Sequence, residues 1–154
     1  MPTKNTAIPY LCVHDGKAAI EFYEKAFGAT QVLRLDDPTN GRVGHAELAI
    51  GDARIYLSDE YPEYEARSPK TLGGAAVSIA LQVGNVDELV KRAVAAGATL
   101  DRPVEDKFYG ERCGAIVDPF GHRWHIATMM TEQVSQPEMQ RRYDEWAKQQ
   151  TRQA

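Results

Sequence analysis

Ala26-Phe27-Gly28-Ala29-Thr30 returns as Ala95-Ala96-Gly97-Ala98-Thr99, and this recurrence decides the fold. The order around each copy is also the same. An alternating apolar segment leads to a polar turn, then to an amphipathic stretch ending in Gly-Ala-Thr, then to further strand-like segments. A period of about 70 residues in a chain of 154 implies two copies of one supersecondary unit. Two like units set face to face enclose a cleft, and clefts are where small molecules bind.

Reading outward from the first copy, Ala7 to Val13 is predicted as a strand, with Pro9 placing it at a sheet edge. Asp15 is the expected cap of a helix over Gly16 to Phe27, whose Ala19, Ile20, Tyr23, Ala26 and Phe27 form one apolar stripe. Gly28 ends it. Thr30 to Leu35, Val43 to Ile50 and Arg54 to Leu57 are then strands, the last two joined as a hairpin through Gly51-Asp52. The unit is βαβββ. In the second copy, Val77 to Val83 is the first strand and Asn85 caps a helix carrying Val86, Leu89, Val90, Ala93 and Val94, closed by Gly97. Thr99 to Arg102, Gly110 to Val117 and Arg123 to Thr128 supply its other strands, with a hairpin turn at Asp118-Pro119-Phe120-Gly121.

The expected architecture is therefore α+β. Two tandem βαβββ modules form a curved mixed sheet around a cleft within one domain spanning 1–131. Module one covers about 7–59, a polar linker 60–75 and module two about 76–130; a helical tail occupies 132–154. Ser135-Gln136-Pro137-Glu138 opens that tail as a capping box, and Met139, Tyr143, Trp146 and Ala147 give it an apolar face. A lone amphipathic helix is marginal in water, so it is expected to dock on its own domain or on a dimer mate.

Composition narrows the partners. Hydrophobic residues make up 43% and charged residues 26%, as in a globular protein with a real core. A net charge of −4 without a basic stripe argues against nucleic acid. No apolar run is long enough for a bilayer, and Met1 to Ala7 lacks a signal-type apolar region. Cys12 and Cys113 form neither a disulfide framework nor a metal spacing. The expectation is a cytoplasmic protein with no membrane or nucleic-acid partner.

The paired units resemble the vicinal-oxygen-chelate superfamily of glyoxalases, bleomycin-resistance proteins and dioxygenases, and within it the PhnB-like branch. The residues carrying the resemblance are Tyr10 through Asp15, Phe22-Tyr23, Gly44-His45-Ala46-Glu47-Leu48, Phe108-Tyr109-Gly110-Glu111-Arg112 and Asp118-Pro119-Phe120-Gly121-His122-Arg123-Trp124. The resemblance implies a small-molecule site, a homodimer and, in metal-dependent relatives, one ligand from the first and last strand of each unit. Those positions fall on Ile8, Tyr56, Ser78 and His125, of which only His125 is an ordinary ligand. The usual metal centre is expected to be lost, with no cofactor. The function read from this is binding of a small anionic or aromatic molecule in the inter-module cleft.

The alternative is a lyase, isomerase or dioxygenase that uses a divalent ion on His45, Glu47 and His125, with Glu47 as base. His45 and Glu47 alternate onto one face of their strand and could approach His125 across the cleft. The candidate ligand-binding residues are His45, Tyr56, Tyr109, Arg112, Trp124 and His125. Arg112 suits a bidentate clamp on a carboxylate or phosphonate, with Glu111 and Asp118 as competing ion-pair partners. Tyr109 and Trp124 suit aromatic walls for a planar ligand, although aromatic residues on strands more often pack in a core. Cys12 is read as a small buried hydrophobe and Cys113 as unactivated.

Overall fold

The computed structural model of the chain describes residues 4–153; Met1 to Thr3 of the amino end read above, and Ala154 of the tail, lie outside the described residues. The elements run β1 (Tyr10–Val13), α1 (Gly16–Phe27), β2 (Thr30–Asp36), β3 (Val43–Ile50) and β4 (Ala53–Asp59). After a 3₁₀ turn at Pro62–Tyr64 and the short α2 (Pro69–Leu72) come β5 (Ser78–Gln82), α3 (Val86–Ala95), β6 (Thr99–Asp106), β7 (Glu111–Val117), β8 (Arg123–Met129) and α4 (Gln136–Gln153). The strands form two four-stranded mixed sheets of like order, β1-β4-β3-β2 and β5-β8-β7-β6. In each, the first strand runs parallel to the last and the rest are antiparallel. The duplication is thus a duplication of topology.

The repeated caps work alike at the start of each helix and differently at the end. The Asp15 carboxylate accepts from the Ala18 N–H at 3.0 Å, and the Asn85 amide oxygen accepts from the Glu88 N–H at 3.1 Å. Gly28 ends α1 in the left-handed region at φ +67°, where its N–H donates to the Glu24 carbonyl and the following Ala29 N–H to that of Tyr23, both at 3.1 Å. In the second copy Ala96 caps α3 while still right-handed, and Gly97 follows at φ +122°.

The largest departures from the expected strand bounds are at β1 and β6, and a proline stands at each. β1 begins at Tyr10, three residues later than predicted, and Pro9 precedes the ladder while its carbonyl accepts from the Tyr56 N–H at 2.9 Å. β6 continues through Pro103 to Asp106 because it is an edge strand, with its register broken between Arg102 and Glu105. A missing N–H costs little at such a place.

Each sheet buries one face against helices. In β3 and β4, Ala46, Leu48, Ile55 and Leu57 are at most 2% exposed and meet α1. The helices α1 and α3 pack on each other, so one core spans both modules. Its bridge is aromatic. Trp124 lies 4.7 Å from Phe27 and 5.6 Å from Tyr23 between ring centroids. Below them the buried Asp118 accepts from the Tyr23 hydroxyl at 2.6 Å, the Trp124 indole at 2.9 Å, and the N–H groups of Phe120 and His122 at 2.9 and 3.0 Å. Burial and this carboxylate together push the Tyr23 phenol well above its ordinary range.

The other face of each sheet points away from the helices and carries the residues of interest. The linker bends back over sheet one and is pinned to module two, where the buried Pro69 sits against Gly121. Gly121 has φ +91°, and a Cβ there would come within 2.7 Å of Pro69 Cβ, so both conformation and space demand glycine. The tail docks on its own chain. Arg142 donates to the Phe108 carbonyl at 2.9 Å, and Tyr143 and Trp146 lie 6.1 Å from the Phe108 ring. No described helix is long and apolar enough to cross a membrane.

Candidate functional site

Register brings Tyr10, Tyr56 and Glu47 into one row across sheet one, because Tyr10 pairs with Tyr56 and Tyr56 with Glu47. His45, two residues from Glu47 on β3, projects from the same face. The four side chains form a cluster. The Tyr10 hydroxyl lies 2.6 Å from His45 Nδ1, and His45 Nε2 lies 3.2 Å from Glu47 Oε1. A neutral ring protonated at Nε2 satisfies both contacts, accepting from Tyr10 and donating to Glu47. Tyr56 packs edge-on against both neighbours, 5.1 Å from His45 and 5.6 Å from Tyr10. Desolvation, reinforced by Cys12 and then Glu47, raises the Tyr10 phenol above its ordinary value. Glu47, His45 and Tyr10 therefore form a hydrogen-bonded line able to pass a proton between a ligand and the imidazole.

Tyr10 and His45 open onto a cavity of about 870 Å³ between sheet one and the linker. Leu35 and Cys12 lie on its sheet side, Tyr61, Tyr64 and Arg67 come from the linker, and His122 closes the module-two end. His122 is fixed there by a 2.8 Å hydrogen bond from its Nε2 to the Cys12 carbonyl. The acidic lining residues Asp36, Asp37 and Glu65 outnumber Arg67, and Arg67 is itself paired with Glu65. The Cys12 thiol is pushed up to about 11, first by burial and then by Glu60 and Asp59, so it is not a nucleophile at neutral pH.

The remaining predicted residues divide among other places. His125 sits on the matching face of sheet two, where its Nε2 is 3.4 Å from Glu111 Oε2. Cys113 lies beside them, with its Sγ 3.4 Å from the Tyr109 hydroxyl. His45 and Glu47 are thus together, while His125 keeps company with Glu111 and Cys113. Among the described residues, these last three form the group of His, Cys, Asp or Glu whose ligand atoms gather within 4.8 Å. Arg112 grips Asp87 through Nε and Nη2, both at 2.8 Å, and Asp106 through Nη1 at 3.0 Å. Its partners are neither Glu111 nor Asp118, because its fork reaches the first turn of α3. The Arg112 guanidinium holds Asp87 below the ordinary carboxylate range. Trp124 is a correction: at 1% exposure it faces the core and the Asp118 carboxylate, not a cleft wall. β8 turns Trp124 and Ile126 inward and His125 outward, and the residue opposite Trp124 on β7 is the buried Ile116.

At the four positions where metal-dependent relatives carry ligands, the donor set does not fit an ion. Ile8 has no donor, Ser78 and Tyr56 offer neutral hydroxyls, and His125 stands alone among them. Tyr10, Glu111 and Cys113 are the site residues that sequence reasoning passed over. The alternation of β1 against Val13 and Leu11 was the available signal for Tyr10.

Comparisons with known proteins agree with this architecture. Residues 6–126 match the Glyoxalase/Bleomycin resistance protein/Dioxygenase superfamily. An uncharacterised protein of Mycobacterium bovis is 39% identical over 135 residues, covering 86% of this chain and 88% of its own. The crystal structure of PA1353 from Pseudomonas aeruginosa superposes with a TM-score of 0.67 at 23% identity, over 82% of this chain and 99% of that one. That of TioX from Micromonospora gives 0.62 at 26% identity, over 84% and 100%. The chain belongs to the Glyoxalase/Bleomycin resistance protein/Dioxygenase superfamily.

Proposed function

We propose that this chain is a PhnB-like member of the superfamily that binds a small aromatic molecule, without a metal, in the cavity over sheet one. The observation that carries this reading is the Tyr10–His45–Glu47 line opening onto that cavity of about 870 Å³. Three tyrosines (Tyr10, Tyr61 and Tyr64) offer ring faces and edges for a planar ligand. The Tyr10 hydroxyl, donating its hydrogen bond to His45, retains lone pairs that accept from a ligand hydroxyl. Of the two ligand classes suggested by the sequence, the excess of Asp36, Asp37 and Glu65 over Arg67 favours an aromatic ligand of low charge over a multiply charged anion.

A thermal-shift panel of monocyclic phenols, aromatic carboxylates and aliphatic phosphonates tests the proposal. At a concentration near 100 Kd a bound ligand adds about 2.7 kcal/mol, which raises Tm by roughly 5–10 °C for a chain of this size. The expected stabilisers are phenols. Stabilisation by phosphonates alone, or by no member of the panel, counts against the proposal.

The same reading includes a homodimer. Tyr10, Leu33 and Leu35 on sheet one and Met129 on sheet two are 40–56% exposed. An isologous pairing that sets sheet one of one protomer against sheet two of its partner covers both sets at once. Sedimentation is expected to give twice the 17.1 kDa chain mass. A monomer at micromolar concentration removes the dimer from the proposal.

A further inference from the structure

We propose that Glu111, Cys113 and His125 form a zinc site on the outer face of sheet two. The side chains come from two adjacent strands, Glu111 and Cys113 from β7 and His125 from β8, and their ligand atoms all lie within 4.8 Å of one another. Tetrahedral zinc, with bonds of about 2.0–2.1 Å to nitrogen and oxygen, holds such a pair roughly 3.4 Å apart. Glu111 Oε2 and His125 Nε2 are 3.4 Å apart. The ion would enter where that hydrogen bond now runs, taking Nε2 while the ring keeps its proton on Nδ1, and displacing the thiol proton to solvent.

Donor chemistry selects the metal. One carboxylate, one thiolate and one neutral imidazole balance the charge of a divalent ion, and the sulfur disfavours magnesium and calcium. The surroundings leave room. Register sets Ala80 and Ala115 beside His125 and Ala127 beside Cys113, so methyl groups flank the cluster where larger side chains would fill it. The Tyr109 hydroxyl, 3.4 Å from Cys113 Sγ, is placed to donate to the thiolate once it forms. Glu111 and Tyr109 also line a cavity of about 750 Å³ beneath α4, which opens the carboxylate end of the cluster to solvent.

This site shares only His125 with the positions that the superfamily's metal-dependent members use, and it lies on the opposite sheet from His45. It therefore stands or falls separately from ligand binding at Tyr10 and His45.

The test is titration of chelator-stripped full-length protein with zinc and, in parallel, with cobalt. The expected result is one zinc per chain and a near-ultraviolet sulfur-to-cobalt charge-transfer band. Cys113→Ser should abolish that band, and Cys113→Ser, Glu111→Gln and His125→Ala should each weaken zinc roughly tenfold or more. Cys12→Ser should leave both signals intact. Cys113 is buried, so if its variant does not fold, Glu111→Gln and His125→Ala, at partly exposed positions, decide the matter. Absence of stoichiometric zinc in the wild-type protein, or zinc uptake unchanged by these two substitutions, overturns the proposal.

Discussion

Asp118→Ala is expected to destabilise the protein by about 3–5 kcal/mol, the cost of breaking a buried, fully used polar group. Its two oxygens accept four hydrogen bonds, and every donor is held in place by something else. The Tyr23 hydroxyl comes from α1, the Trp124 indole from β8, and the two N–H groups from the β7–β8 turn. Removing the carboxylate strands buried donors from both modules at once. At this chain length the loss amounts to a fall in Tm of roughly 10 °C. Tyr23→Phe removes one donor and leaves the carboxylate three others, so it should cost only about 1 kcal/mol. Chemical denaturation of the two variants checks the pair. Equal, small losses would mean that Asp118 does not hold the modules together.

Trp124→Ala is expected to cost a comparable 3–5 kcal/mol through a different mechanism, the cavity left by a buried aromatic ring. That ring is 1% exposed and wedged against Phe27 and Tyr23, at the point where α1 of module one meets β8 of module two. Trp124→Phe separates packing from hydrogen bonding. It keeps most of the ring contact and withdraws one donor from Asp118, so about 1–2 kcal/mol should be lost. Because Trp124 and Asp118 touch, the double variant Asp118→Ala/Trp124→Ala should lose less than the sum of the singles. Strict additivity would show that the two act independently.

Trp124 also marks where the sequence stops being legible. The βαβββ repeat, the Asp15 and Asn85 caps and the left-handed Gly28 are local matters of spacing and backbone conformation, and each stands where the pattern placed it. Which face of a strand meets a cleft is not local. Alternation separates Trp124 from His125, but only packing against α1 of the other module decides which of them is buried. Arg112 teaches the same lesson. Glu111 is its neighbour in sequence, yet its fork closes on Asp87, 25 residues away. Tyr10 reaches His45 across 35 residues, through strand register that no single segment encodes. β6 runs on through Pro103, where proline reads as a terminator until its strand is known to be an edge. The resemblance puts the superfamily's ligand positions on Ile8, Tyr56, Ser78 and His125. Ile8, Tyr56 and Ser78 leave His125 without the partners that an ion at those positions requires.

Metal-independent recognition in the cavity of Tyr10 and His45 is tested most directly by calorimetric titration of the best-stabilising phenol. The wild-type protein, the same protein after exhaustive chelation, and His45→Ala are compared. The predicted result is 1:1 binding that survives chelation unchanged and weakens roughly tenfold or more in His45→Ala, the cost of losing the partly exposed hydrogen-bond partner that orients Tyr10. Binding that disappears on chelation while His45→Ala binds as well as wild type would contradict it.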